Sequence, residues 1–397
     1  LTITASNDSK VYGATTTATN SVAYTSGVAA GATAGYTVSG LASNGDSITS
    51  ITLTSAGGNA TATVAGGPYT ITPSALVGST NVNSTNYNIT YTNAATGLTV
   101  TKANLTITAS NDSKVYGATT TATNSVAYTS GVAAGATAGY TVSGLASNGD
   151  SITSITLTSA GGNATATVAG GPYTITPSAL VGSTNVNSTN YNITYTNAAT
   201  GLTVTKANLT VTADNKNMTY GGSVPTLTET ISGFVNGETV SVVTGTGVAT
   251  TTATNTTNAG TATITATNTG LSAANYTFNT LVNGTLTIGK ANLTITASND
   301  SKVYGATTTA TNSVAYTSGV AAGATAGYTV SGLASNGDSI TSITLTSAGG
   351  NATATVAGGP YTITPSALVG STNVNSTNYN ITYTNAATGL TVTKANL

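Results

Sequence analysis

Short stretches of alternating apolar and polar residues follow one another along the chain. In the first hundred residues the alternation occurs in LTITAS, TTTATNSVAY, GYTVSG, SITSITLT, ATATVA, YTITPSALV, YNITYT and GLTVT. Glycine, Asn-Gly-Asp or proline separates these segments, as is typical of turns between strands. The pattern predicts about eight short β-strands in this stretch and no helix.

Threonine fills the polar positions of the alternation. Thr2 and Thr99 stand beside the apolar residues Ile3, Leu98 and Val100. Because successive side chains of a strand point to opposite faces, one face is expected to meet a core and the threonine face to meet water. This arrangement favours two sheets packed as a sandwich.

The alternation is repeated on a larger scale. Residues 1–104 recur with the same letters as 105–208 and 293–396, and Leu397 begins a further copy. Residues 209–292 form a shorter, divergent version in which LTVTADNKNMTYG answers LTITASNDSKVYG. We call these segments the first to fourth repeats in chain order, and a recurrence of this length predicts one domain for each repeat.

Most of the length difference between the long and short repeats falls between Gly13 and Ser39, around TTTATNSVAYTSGVAAG at 15–31. We expect an added strand or hairpin there.

About 100 residues of short strands are typical of an immunoglobulin-like β-sandwich. A smaller β-grasp-like domain is the alternative. Between the last strand of one repeat and the first of the next stand only Lys102, Ala103 and Asn104, whereas a flexible tether needs a longer polar stretch. The fold expectation is therefore four tandem immunoglobulin-like domains that form an elongated, semi-rigid rod.

The composition excludes several classes of function. Charged residues are 4% of the chain, the net charge is −1, and Cys, His and Trp are absent. The chain has no basic patch for nucleic acid and no thiol for a metal or a disulfide. No run of about 18 apolar residues is present, so we expect no membrane insertion in this segment. Twenty tyrosines argue against disorder.

Catalytic chemistry has few candidates. Each long repeat offers two carboxylates, Asp8 and Asp46, and the possible bases for a serine nucleophile are Lys10 and Lys102. Asp46 lies in an Asn-Gly-Asp turn, and no Ser-x-x-Lys spacing occurs. We expect no enzyme, no catalytic or cofactor-binding residue, no cofactor and no metal site.

Two further kinds of site compete with simple structural roles. Asn7, Asp8 and Asn104 lie near each repeat boundary and suggest calcium, although one carboxylate is few for that ion; a turn is the simpler interpretation of Asn7 and Asp8. Lys10 or Lys102 could form a Lys-Asn cross-link, but lysine is rarely buried.

The tyrosines are expected to be core or corner residues, and an exposed set that stacks on sugars is the alternative. In the first repeat they are Tyr12, Tyr24, Tyr36, Tyr69, Tyr87 and Tyr91.

The third repeat resembles a known family. The segments LTVTADNKNMTYG, SGFVNGETV, NYTF and VNGTLTIGKANL are similar to the MBG-type repeat domain of large bacterial surface proteins, many of them filamentous-haemagglutinin-like adhesins. The long repeats resemble the same family or its YDG-type relative, with KVYGATTTAT in place of KVYDGTTTAT. The resemblance implies a β-rich extracellular module in tandem arrays and carries over no site residues.

These features together predict a structural stalk or filament segment of a secreted or cell-surface bacterial adhesin, which gives length and semi-rigidity for adhesion or a biofilm matrix. The alternative is a weak binding module for glycans or partner surfaces that acts through avidity. Expected partners are neighbouring repeats, and further candidates are lateral self-association and surface glycans. Because Leu1 already lies in a strand pattern, we expect the sequence to be part of a longer chain that carries its targeting signals elsewhere.

Overall fold

The computed structural model describes residues 1–14, 35–118, 139–306 and 327–396. Within these ranges the chain is all β, with 27 strands, four three-residue 3-10 turns and no α-helix. The all-β prediction is therefore confirmed. The added strand or hairpin predicted at 15–31 lies outside the described residues. The four domain boundaries, the immunoglobulin-like sandwich and the β-grasp alternative stay predictions.

The described chain divides into two compact units. The first comprises residues 1–207 with the short segments 235–237 and 274–276, and the second comprises 208–234, 238–273 and 277–397.

The strands of the first repeat are β1 Thr2–Ala5, β2 Asp8–Val11, β3 Tyr36–Ser39, β4 Ser47–Thr54, β5 Thr72–Thr80, β6 Thr90–Thr92 and β7 Leu98–Thr101. Those of the second are β8 Ala103–Ala109, β9 Asp112–Val115, β10 Tyr140–Ser143, β11 Ser151–Thr158, β12 Thr176–Thr184, β13 Tyr191–Thr196 and β14 Leu202–Thr205. The 3-10 turns Ala56–Gly58 and Ala160–Gly162 follow β4 and β11.

The third repeat contains β15 Ala207–Ala213, β16 Lys216–Thr219, β17 Glu229–Ser232, β18 Gly260–Ile264, β19 Tyr276–Val282 and β20 Gly284–Gly289, with a 3-10 turn at Val240–Val242. The fourth contains β21 Ala291–Ala297, β22 Asp300–Val303, β23 Tyr328–Ser331, β24 Ser339–Thr346, β25 Thr364–Thr372, β26 Tyr379–Thr384 and β27 Leu390–Thr393, with a 3-10 turn at Ala348–Gly350.

The first two strands of a long repeat pair in parallel with its last two strands. In the second repeat β8 lies between antiparallel β10 and parallel β13, and β9 pairs in parallel with β14. Strands β11 and β12 form a separate antiparallel ribbon. The described strands of the first and fourth repeats pair in the same way. Parallel partners run in one direction, so the chain enters a repeat at one end and leaves it at the other.

The apolar side of the predicted alternation forms the core. Ile3, Ile51 and Leu98 are buried in the first repeat, whereas Thr99 is exposed. In the second repeat, Ile107, Ile155 and Leu202 occupy the same positions and are buried in the same way. The assignment of sides made for Ile3, Leu98 and Val100 is therefore correct.

The strand expected at ATATVA does not form. Residues 60–65 make turns, although Ala62 is buried and Val64 is partly buried. Both side chains belong to a hydrophobic cluster with Leu105 of the second repeat. The alternation is real, but it reflects packing against the next repeat rather than a sheet.

Asn7 is not a simple turn former. Its Oδ1 accepts hydrogen bonds from the backbone N–H groups of Thr96 (2.7 Å) and Gly97 (3.0 Å), which precede β7. Asp8 begins β2 and is buried, so the turn expected at this position is wrong there. Burial raises the pKa of the Asp8 carboxyl, and a hydrogen bond from Ser9 N–H opposes that rise.

Lys10 is buried, contrary to the expectation for lysine. Its Nζ donates to the backbone carbonyls of Ala14 (2.9 Å) and Asn59. Burial lowers the pKa of this amine. In the third repeat, buried Met218 occupies the position of Lys10, so the apolar stem is the part that both repeats keep.

The asparagine at this position can be tested by substitution in the second repeat. There Asn111 accepts hydrogen bonds from Thr200 N–H and Gly201 N–H. Asn111→Ala should destabilise the repeat by about 1–3 kcal/mol, because two N–H groups lose their acceptor. Calorimetric melting of the whole chain measures the loss. Asn111→Asp retains an acceptor oxygen and should melt close to the parent; equal losses in both variants would contradict this role.

Candidate functional site

The link between the first and second repeats is one residue long in structural terms. Strand β7 ends at Thr101 and β8 begins at Ala103, so Lys102 alone lies outside a strand. This agrees with the absence of a flexible linker in the sequence. The same arrangement occurs in the second unit, where Lys290 separates β20 from β21.

Strand register brings two tyrosines to this link. Val11 pairs with Thr101, and Tyr12 N–H donates to the Thr101 carbonyl at 2.8 Å, so Tyr12 lies where the chain leaves the first repeat. Tyr191 pairs with Ala103 and therefore lies where the chain enters the second repeat.

The two rings pack against each other. Tyr12 and Tyr191 meet edge to face, with ring centroids 5.3 Å apart and an interplanar angle of 77°. Their exposed fractions are 4% and 1%. Such pairs contribute about 0.5–1.5 kcal/mol beyond the area that they bury.

One carboxylate receives both hydroxyl groups. Tyr191 donates to Asp150 Oδ2 at 2.5 Å, and Tyr12 donates to Asp150 Oδ1 at 3.3 Å. Burial first, and the hydrogen bond to Asp150 second, raise the pKa of Tyr191 well above its usual range. Burial also raises the pKa of Tyr12. Both groups are therefore neutral donors at physiological pH.

Gly13 allows the backbones to approach. Its φ is +80°, and a Cβ added there would overlap the Cβ of Ala146 in the second repeat. Glycine accepts both the left-handed conformation and the close contact without strain. The contact between the two repeats, formed by Tyr12, Gly13, Ala146, Asp150 and Tyr191, is called the joint below. The Tyr-Gly pair supplies one ring to this joint and the space for the close approach of Ala146.

Asparagine side chains complete the joint. Asn190 is 4% exposed, and its Oδ1 accepts from Val64 N–H at 3.2 Å. Asn148 Nδ2 donates to the Ala60 carbonyl at 3.2 Å. Buried polar groups are costly unless they are hydrogen-bonded, so these contacts fix the position of one repeat against the next.

The second unit contains the same joint between the third and fourth repeats. Tyr220 and Tyr379 meet at 5.4 Å and 78°, and their hydroxyls donate to the two oxygens of Asp338 at 3.2 and 2.5 Å. Asn378 Oδ1 accepts from Ala259 N–H at 3.0 Å. A third edge-to-face pair, Tyr116 with Tyr276, lies within the first unit at 5.5 Å.

The candidate calcium ligands contact different partners. Asn7 and Asp8 accept from groups of their own repeat, whereas Asn104 Oδ1 accepts from Asn192 Nδ2 of the second repeat. In the described ranges, no three acidic residues are grouped so that they could hold a metal ion. Lys102 lies at the link, and Lys10 Nζ contacts the backbone carbonyl of Asn59.

The two candidate catalytic carboxylates, Asp8 and Asp46, each accept a hydrogen bond from a group of the same repeat. Asp8 Oδ1 accepts from Ser9 N–H, and Asp46 Oδ2 accepts from the Tyr87 hydroxyl. As for membrane insertion, no helix in the part of the chain that the structure describes has the length and apolar character needed to cross a bilayer.

The tyrosines divide by position. Tyr12 is a joint residue, and Tyr36, Tyr69, Tyr87 and Tyr91 are half-buried. Tyr24 lies outside the described residues. Among the tyrosines that the structure describes, Tyr304 alone is classed as exposed. The joint role of Tyr12 was not predicted; the available signal was a Tyr-Gly pair at the same place in all four repeats, at Tyr12, Tyr116, Tyr220 and Tyr304.

Equivalent tyrosines in different environments provide a direct test. Tyr12→Ala should destabilise the first unit by about 3 kcal/mol or more, since it removes a buried ring and leaves a cavity. Tyr304→Ala changes the same sequence position in an identical repeat, but this side chain is 48% exposed, and its effect should stay within about 0.5 kcal/mol. Calorimetry of the two variants compares them, and equal effects would contradict a structural role for the joint.

The raised pKa values of Tyr191 and Tyr379 predict that the free energy of unfolding decreases at alkaline pH. Their folded pKa values are raised above the unfolded value of about 10. The protonated hydroxyls therefore stabilise the fold fully below pH about 10, and this contribution is lost as pH rises through the folded pKa.

Tyrosinate absorbance during a pH titration should show a late class of tyrosines, and Asp150→Asn should lower the pKa of Tyr191. One transition near pH 10 for all tyrosines would contradict the prediction.

Comparison with known protein families identifies the third repeat. A search of curated proteins gave no match to the chain. Residues 209–287 match the model of the MBG domain of the YGX type. This confirms the resemblance noted in LTVTADNKNMTYG, and the matched segment includes Tyr220 and Gly221, which form one side of a joint. The third repeat is therefore similar to the MBG domain of the YGX type over residues 209–287.

Proposed function

We propose that this chain is a stalk or filament segment of a secreted or cell-surface bacterial adhesin. Its four repeats would be tandem immunoglobulin-like sandwich modules at 1–104, 105–208, 209–292 and 293–396. Copy number would set the length, and the joints would limit bending. The MBG domain suggests an adhesin-like repeat protein. The observation that carries the structural role is the buried Tyr-Asp-Tyr joint.

The path of the chain through each repeat supports this proposal. The parallel pairs β2–β7 and β9–β14 bring the chain in at one end of a repeat and out at the other. A module with this path can be added in series without a return loop. Repetition then increases reach rather than thickness.

The core at the joint supports limited bending. One hydrophobic cluster includes Tyr12 and Val100 of the first repeat together with Leu105 and Tyr191 of the second. Bending at Lys102 would have to separate the tyrosine rings and expose Ala103, which is 6% exposed. Burial of these side chains therefore opposes a hinge.

The distribution of polar groups also favours a structural role over catalysis. The carboxylates of Asp150 and Asp338 accept hydrogen bonds from tyrosine hydroxyls at joints. We propose on this basis that the chain is not an enzyme. Half-burial of most described tyrosines leaves little ring surface for sugar stacking, so binding through avidity remains the second proposal.

Small-angle X-ray scattering of the 397-residue chain tests the stalk. Four modules in series should give a radius of gyration on the order of 45 Å from strand geometry. One globule of this length would give about 21 Å. Tyr12→Ala should broaden the distribution of interatomic distances, and Tyr304→Ala is the matched control. A compact value would contradict the proposal. Bending that occurs only in the presence of a calcium chelator would instead support calcium sites at the repeat boundaries.

A further inference from the structure

The third repeat contains a cavity of about 400 Å³ beside β17. The apolar residues that line it are Leu227, Ile231, Val240, Val243 and Leu271. Among the described residues of the lining, Glu229 alone is charged. Val240 is 61% exposed, so the cavity is open to solvent on that side. A mostly apolar lining with few polar groups, at this volume, is typical of sites for small molecules.

Strand register shows what occupies this place in the long repeats. Glu229 pairs with Ala213 at the start of β17, as Tyr36 pairs with Ala5 at the start of β3. The Tyr36 ring reaches toward β4, where its hydroxyl donates to the Ile48 carbonyl at 3.3 Å. The second and fourth repeats have a tyrosine in the same register with the same hydrogen bond. A tyrosine ring therefore spans this part of each long repeat.

The third repeat has a glutamate in place of that ring. Val240 corresponds to Ile48 when SGFVNGETV is aligned with SGLASNGDSI, and both Glu229 and Val240 line the cavity. A glutamate side chain is smaller than a tyrosine ring, so it does not fill the space between the two positions. The divergence of the third repeat thus replaces an internal tyrosine contact with a cavity that contains a carboxylate.

Hydrogen bonds hold the Glu229 carboxylate at the wall of the cavity. Asp214 accepts from the hydroxyls of Thr228 and Thr230, at 2.5 and 2.8 Å. Because successive side chains of an extended chain point to opposite faces, Glu229 between them points to the inside of the repeat. Its Oε1 accepts from Thr267 N–H at 2.7 Å. The carboxylate is therefore positioned in advance for a ligand.

The second oxygen of this carboxylate has no partner among the described residues. Glu229 Oε2 is buried and makes no hydrogen bond there. It lies against Gly247, since a Cβ added to that glycine would be 1.9 Å from Oε2, and Gly247 lines the cavity. A buried anionic oxygen without a donor is costly. A cationic donor in the cavity would supply the missing partner.

One carboxylate in an apolar cavity favours one class of ligand. Divalent cations prefer several oxygen ligands, and no three acidic residues are grouped for a metal within the described ranges. None of the described lining residues is aromatic, so the cavity lacks a ring for sugar stacking. A protonated primary amine offers one positive charge and N–H donors. An apolar body attached to it would contact Leu227, Ile231 and Leu271.

We propose that the cavity of the third repeat binds a primary ammonium group with an apolar body, from a free alkylamine or from a lysine side chain. The ammonium donates to Glu229 Oε2, and the body lies on the apolar lining. This site goes beyond the stalk function, and each can fail without the other. Scattering measures the shape of the chain, whereas ligand titration measures the cavity.

Isothermal titration calorimetry of the 397-residue chain with hexylammonium chloride tests the proposal. One site per chain is expected, because the long repeats have tyrosine at the position of Glu229. Hexan-1-ol has the same apolar body without the charge and should bind at least about tenfold more weakly. A chain that binds hexan-1-ol as tightly as hexylammonium would overturn the proposal.

A second probe, Nα-acetyl-lysine methylamide, distinguishes the two sources of the ammonium group. Binding of hexylammonium alone would support the proposal with a free amine as ligand. Binding of the lysine probe would support it with a lysine side chain as ligand. A chain that binds neither amine would overturn the proposal.

Substitutions at Glu229 separate the charge from the cavity. Glu229→Gln keeps the shape and an acceptor for Thr267 N–H, so it should stay folded and bind hexylammonium at least about tenfold more weakly. Glu229→Tyr introduces the residue of the long repeats and should abolish binding. Glu238→Gln is the control, since Glu238 is the other glutamate of the chain and does not line the cavity. Circular dichroism verifies folding, and unchanged binding in either Glu229 variant would overturn the proposal.

Discussion

Parallel pairing of the first two strands of a repeat with its last two strands is the constraint on which the other features depend. Because β2 and β7 run in the same direction and end together, the residue after β2 comes to the point where the chain leaves the repeat. That residue is Tyr12. The same rule places Tyr191, the first residue of β13, at the entrance of the following repeat. The strand register therefore brings the two rings together.

The joint needs polar side chains because backbone groups of the first repeat, such as Val64 N–H and the Ala60 carbonyl, meet the second repeat there and require hydrogen-bond partners. Phenylalanine rings could fill the same space, but they could not hold Asp150, whose two oxygens receive the hydroxyls of Tyr12 and Tyr191. A shared carboxylate makes the contact directional, since it is satisfied at one angle between the repeats. Hydrophobic burial alone is not directional. The combination explains how a one-residue link can define a fixed orientation between the two repeats of a joint.

Much of the fold could be predicted from local patterns. Period-two alternation identified the strands around Ile3, Leu98 and Leu53, and the missing linker indicated a direct connection at Lys102. Alternation does not say what the apolar side packs against, so ATATVA was interpreted as a strand although Ala62 and Val64 pack at the joint. Strand β2 was missed because Asp8 and Lys10 face inwards, and burial of charge is not visible in a hydrophobic pattern.

The divergent third repeat separates the parts of the sequence that serve the joint from those that serve the interior. It replaces buried Lys10 with Met218, lacks most of the segment around 15–31 and differs at many strand positions. It nevertheless keeps Tyr220 and Gly221, and Tyr220 meets Tyr379 with nearly the same distance and angle as Tyr12 meets Tyr191. Two repeats with different cores therefore share the same kind of joint. Because the joint does not depend on the core of a repeat, repeats can be exchanged or added while each joint keeps its geometry.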